Sequence, residues 1–150
     1  MTPGELREQI LAEHAKLRRM LADLEECSKS ALGRGPAGRE ELRTMGEQLL
    51  FDLEQHMQHE DRHLIPALRT IDSWGAERAA RVEADHRGQR EQMRAYLDAL
   101  RQQNASEADL AALLLDISTW LARDMAEEEE TTLHPDVLRD DVVGIEVDTG

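Results

Sequence analysis

Four segments of this 150-residue chain place apolar residues every three or four positions, and the stretches between those segments cannot continue a helix. Leu6, Ile10, Leu17, Leu21 and Leu24 mark the first segment, and Leu42, Met45, Leu49, Leu53 and Ala67 the second. Ala79, Val82, Met93, Leu97 and Leu100 mark the third, and Leu110, Leu114, Ile117 and Leu121 the fourth. Thr2-Pro3-Gly4-Glu5 and Ser106-x-x-Asp109 read as capping boxes that open the first and last helices, while Asp72-Ser73 offers a cap for the third. The first helix is expected over residues 3–31. The run from Gly33 to Gly38 is expected to be a turn, and Pro66 to kink or end the second helix near residue 70. The third should end near Gln103 and the fourth before Pro135. Four long helices with short connections predict an all-α, antiparallel up-down-up-down bundle. The chain is expected to form one domain over 1–135, followed by an acidic, mobile tail over 136–150. The alternation from Val142 to Val147 is a weaker sign of a docked strand-like segment.

Composition narrows the function classes. Aromatic residues are only 3%, so the core must be built from Leu, Ala, Met and Ile, which suits helices better than sheet. Asp and Glu number 32 against 18 Lys and Arg, a net charge of -14 that repels phosphate backbones and argues against nucleic acid as a partner. Met1 to Gln9 lacks the apolar centre of a signal peptide, and the longest apolar run, Leu110 to Leu115, is too short to span a bilayer. The expected location is the cytoplasm, without membrane contact. A single cysteine, Cys27, leaves no thiolate-rich zinc site, so any metal must take nitrogen and oxygen ligands.

Each apolar stripe is interrupted by a metal-ligand type of residue. His14 stands between Ile10 and Leu17, His56 and Glu60 follow Leu53, His86 follows Val82, and Asp124 and Glu128 follow Leu121. Charged groups are seldom buried unless they are paired or bind metal. In an antiparallel bundle, residues level with one another lie equally far from the turn that joins their helices. The midpoints between His14 and His56, His56 and His86, and His86 and Asp124 are residues 35, 71 and 105, each in or beside an expected turn. The six side chains therefore belong to one layer, which is how bundles build histidine and carboxylate metal sites.

An internal repeat supports that layer. His14-x-x-x-Arg18 recurs as His86-x-x-x-Arg90, and Leu53-x-x-His56-Met57-x-x-Glu60 recurs as Leu121-x-x-Asp124-Met125-x-x-Glu128. Asp124 thus stands where the repeat has a histidine. Residues four apart share a helix face, so each even helix can chelate from one side. His59 and His63 flank the stripe and are expected to face solvent, with His63 within reach of the outer site. His134 lies beyond the last helix, and Glu127 to Glu130 reads as a solvated face with Glu128 turned inward. A competing reading pairs Arg90 with Asp124 or Glu128. That would leave one metal or none, and make the chain an acidic helical scaffold acting through a protein partner.

These residues resemble the hemerythrin-like, or HHE cation-binding, family over residues 6 to 135. The resemblance rests on a His in the first helix, His-x-x-x-Glu in the second ending in Leu64-Ile65-Pro66, a His in the third, and a paired position in the fourth. It implies a hemerythrin-like bundle with a non-haem di-iron centre, oxo- or hydroxo-bridged, whose functions include oxygen binding, sensing of O2 or nitric oxide, peroxide reactions and iron handling. By position, His14, His56 and His86 resemble terminal nitrogen ligands, and Glu60 and Glu128 the bridging carboxylates. Asp124 departs from the pattern, since the family usually has histidine there, and oxygen carriers have a further histidine where this chain has Arg90. A carboxylate in place of imidazole should stabilise ferric iron and disfavour reversible oxygen carriage.

Overall fold

A computed structural model describes residues 1–141, and the suggested strand-like segment from Val142 to Val147 lies outside them. The described residues form an all-helical bundle of four long rods. Helix α1 spans Pro3–Ala31, with Thr2 accepting from the Glu5 amide while the Glu5 carboxylate takes the Thr2 amide, so the expected capping box is present. Helix α2 spans Pro36–His59, earlier than the expected turn through Gly38 allowed. Pro36 is tolerated in the first helical turn, where no amide is needed. Gly35 takes φ 67°, leaving Gly33 to Gly35 to make the turn. Gly38 is helical, and it is a glycine because the Ala31 carbonyl passes so close that an added Cβ would stand 2.4 Å from its oxygen.

The second rod does not end at Pro66. A π-helical turn over Glu60–Leu64 joins α2 to α3, Ile65–Ile71, and the Ile65 amide donates to the Glu60 carbonyl five residues back. Pro66 brings neither an amide nor room for a tight turn before it, and the widened turn absorbs both defects upstream. The third rod has Trp74 at its N-cap with no side-chain cap bond, so Asp72 and Ser73 do not cap it as expected; Asp72 instead accepts from the Trp74 amide at 2.8 Å within the turn. Helix α4 spans Gly75–Leu100 and α5 spans Glu107–Glu130, the latter opened by the expected Ser106 and Asp109 capping box. No described helix is long and apolar enough to cross a membrane.

The apolar core is split in two. One cluster runs from Leu17 through Leu53, Met57, Leu114 and Met125, and the other gathers Leu6, Ile10, Leu64, Leu68 and Val82. Between them lie the buried polar residues His14, His56, Glu60 and His86, at 1%, 6%, 1% and 2% exposure. The chain stays on the bundle past Pro135. Leu133 and Leu138 are buried in the second cluster, and the Asp140 carboxylate accepts from the Gly4 amide at 2.8 Å.

Candidate metal centre

Helical spacing brings the polar layer together: His14 of α1 and His56 of α2 face each other with ring centroids 4.9 Å apart. His14, His56, Glu60 and Glu128 each offer a ligand atom, and these atoms all lie within 4.8 Å of one another. His86 and Asp124 are not members of that compact set. His86 still reaches it, with Nε2 3.2 Å from a Glu60 oxygen, while Asp124 accepts from the Gln89 side-chain amide at 2.5 Å on the α4 side of the layer.

Each site histidine is held in the same way. His14 presents Nδ1 to Glu129 at 2.6 Å, His56 to Glu13 at 2.9 Å, and His86 to Asp61 at 2.6 Å. An ionised carboxylate can only accept, so Nδ1 carries the proton and the Nε2 lone pair points inward. There Nε2 of His14 lies 3.1 Å from Glu128, and Nε2 of His56 lies 3.3 Å from Glu60. Carboxylates behind ligating histidines fix the tautomer and raise ligand basicity.

The internal repeat now has a structural meaning. Arg18, four residues after His14, pairs with Glu129 at 2.8 Å, and Arg90, four after His86, pairs with Asp61 at 2.7 Å. Each arginine supports the carboxylate that orients the histidine one turn earlier. Arg90 also donates to Glu54 at 3.2 Å, so it does not pair with Asp124 or Glu128 as the scaffold reading required. Its position on α4 turns it toward α2, away from the interior carboxylates, where its charge keeps more solvent.

Glu13, Asp61 and Glu129 did not stand out in the sequence, although each is the neighbour of a residue in the layer. Glu129 belongs to the run expected to be solvated, yet it is part-buried against His14. His59 is likewise less exposed than expected, since its Nδ1 lies 2.6 Å from the second oxygen of Glu13 and its ring packs edge-on against His63. An acid beside each ligand-type residue was the available signal. A one-residue step turns a side chain by about 100°, which carries it from the core into the seam between helices.

The electrostatics suit a cation. Burial and then the nearby Glu128 charge push the Glu60 carboxyl well above its ordinary value. Burial and then Glu128 raise Asp124 to about 6. Burial opposes a charge on His14, but Glu128 and Glu129 outweigh it and raise its pKa. Burial also works against ionisation of Glu13, Asp61 and Glu129, whose basic partners nevertheless hold them below their ordinary values. Glu60 Oε2 is fully buried without a hydrogen-bond partner, and Glu128 Oε1, equally buried, faces only Nε2 of His14 at 3.1 Å. Unpartnered buried carboxylate oxygens are costly, and a cation between the two carboxylates supplies what the protein atoms do not. The donor set fits iron, for which imidazole and carboxylate are suitable ligands.

A family model described as the hemerythrin HHE cation binding domain matches residues 5–135, which take in all four rods but the first two residues of α1, and every residue of the layer. No curated protein and no solved structure matches the chain.

Proposed function

The chain belongs to the hemerythrin HHE cation binding family, and on that premise we propose that it binds two non-haem irons between its helices and reduces or senses O2 or peroxide there. The carrying observation is the convergence of inward Nε2 atoms, each backed by a carboxylate, on Glu60 and Glu128: Nε2 of His14 lies 3.1 Å from Glu128 Oε1, and those of His56 and His86 lie 3.3 and 3.2 Å from Glu60 Oε1. On this reading His14, His56, His86 and Asp124 would hold the irons together with the carboxylates of Glu60 and Glu128. When bound, the pair would supply redox equivalents and open positions for a small molecule. The protein keeps the imidazoles oriented through the carboxylates behind them, and places apolar clusters above and below the layer that restrict water. Asp124 adds negative charge where the family resemblance has histidine, which lowers the iron potential. The centre is thereby steered from reversible oxygen carriage toward reduction of an oxidant.

The compact four-residue set supports a second reading, in which one iron alone is held and His86 and Asp124 stay outside it. Metal analysis of protein purified without added iron, with a near-ultraviolet spectrum after oxidation, distinguishes the two. About two irons per chain and an oxo-to-iron band support the paired centre, whereas about one iron and no such band support the mononuclear site. Protein that takes up no iron would refute both.

A further inference from the structure

The four seams around the layer are closed in different ways. Between α1 and α5, Arg18 and His14 share Glu129. Glu13 closes the seam between α1 and α2 by holding both His56 and His59. Asp61 and Glu54 of the second rod meet His86 and Arg90 of α4. Among the described residues no ion pair joins α4 to α5, and their link at this level is the hydrogen bond that the uncharged Gln89 amide donates to Asp124.

At that seam a cleft of about 380 Å³ leads from the surface to His86, Asp124 and Glu128. Asp85 and Glu127 line its exposed mouth, against one arginine, Arg81. Gly88 also lines it, and a Cβ there would meet nothing within 4 Å, so the mouth is open at this position and has room for a side chain. At the inner end stands Glu128, whose buried Oε1 faces Nε2 of His14 at 3.1 Å, so the cleft leads to the histidine and carboxylate layer itself.

We infer that the cleft between α4 and α5 is the entrance through which a divalent cation reaches the centre, drawn by Asp85 and Glu127 and received by Asp124 before Glu128. This rests on the proposed metal-binding function. A cleft with acidic walls focuses a negative potential and concentrates cations over anions. A hydrated divalent ion gives up water reluctantly, and successive carboxylate oxygens along the path replace that water stepwise. At two of the other seams Arg18 and Arg90 offset the carboxylates, and at the third both Glu13 oxygens are taken up by His56 and His59, so none presents a comparable run of unoccupied carboxylates.

The test follows cobalt(II), a probe that air does not oxidise, by its visible absorption during rapid mixing with the metal-free full chain and during removal by a chelator. Gly88→Trp, whose indole would fill the mouth, should slow uptake and release alike on the order of tenfold while leaving the final cobalt content unchanged. Asp85→Asn should slow uptake by roughly threefold at low salt and by less at high salt, whereas Glu40→Gln, a distant exposed change of equal charge, should not. Wild-type rates in Gly88→Trp at full cobalt content would overturn the entrance and leave the centre standing. If Gly88→Trp takes up no cobalt, the comparison of Asp85→Asn with Glu40→Gln decides, equal rates counting against the proposal. Failure of the wild type to bind cobalt or iron would remove the centre and the entrance together.

Discussion

Arg90 donates to Asp61 at 2.7 Å, and through Asp61 it bears on His86 rather than on the interior carboxylates. The pair does for α4 what Arg18 and Glu129 do for His14. If Asp61 fixes the His86 tautomer, Asp61→Asn should weaken metal binding by roughly 10- to 100-fold, with helical content unchanged. Asp61→Glu should recover part of the loss. Competition titration against a metallochromic chelator measures it, and equal affinities in all three proteins would assign Asp61 to the surface.

Asp124 is the chain's departure from the family resemblance, and its charge is the expected lever on the iron. Asp124→His should raise the potential and slow oxidation of the ferrous protein by oxygen, while Asp124→Ala should weaken iron binding because a ligand is lost without replacement. Redox titration and stopped-flow oxidation compare the three. Identical potentials and rates would falsify the ligand role.

Core and centre should separate in a mutation beside the layer. Leu53 is 2% exposed and packs in the larger apolar cluster. Leu53→Ala should cost about 2 to 5 kcal/mol of stability through the cavity it leaves, while metal stoichiometry stays at the wild-type value. Chemical denaturation with metal analysis checks both halves of that expectation.

Metal binding should compete with protons. Glu60 and Asp124, with raised pKa values, and His14, also raised, all retain protons in the metal-free fold. For the two acids, stability falls as pH rises from the unfolded to the folded pKa. For His14, stability is full below the unfolded pKa and is lost as pH rises through the folded one. All three therefore weaken the metal-free form as pH rises, and a bound cation cancels the charges thus exposed. The gain in Tm on adding metal should widen from about pH 5 to about pH 7.5. A constant or shrinking gain would contradict the proton competition.

Much of this centre was legible in the chain. The stripe residues and the two capping boxes located the rods, and the midpoints between His14, His56, His86 and Asp124 located the turns, because antiparallel packing converts sequence distance into height. Gly38 misled, since the glycine that reads as a turn signal is here a helical residue whose missing side chain admits the Ala31 carbonyl. The π turn left no mark in the apolar period. Pro66 announced a disturbance, but its relief lies upstream at Glu60, where an extra residue in the turn is compatible with the same buried stripe. The orienting acids Glu13, Asp61 and Glu129 were hidden because an acid on a strongly acidic surface carries little signal until its neighbour across the seam is known.

The central claim is that Glu60 and Glu128 hold iron together. Iron content per chain, measured after anaerobic loading and desalting of the wild type, Glu60→Ala and Glu128→Ala, tests it most directly. The account predicts about two irons in the wild type and a marked loss in each variant, accompanied by a smaller metal-induced rise in Tm. Full iron retention in both variants would contradict it.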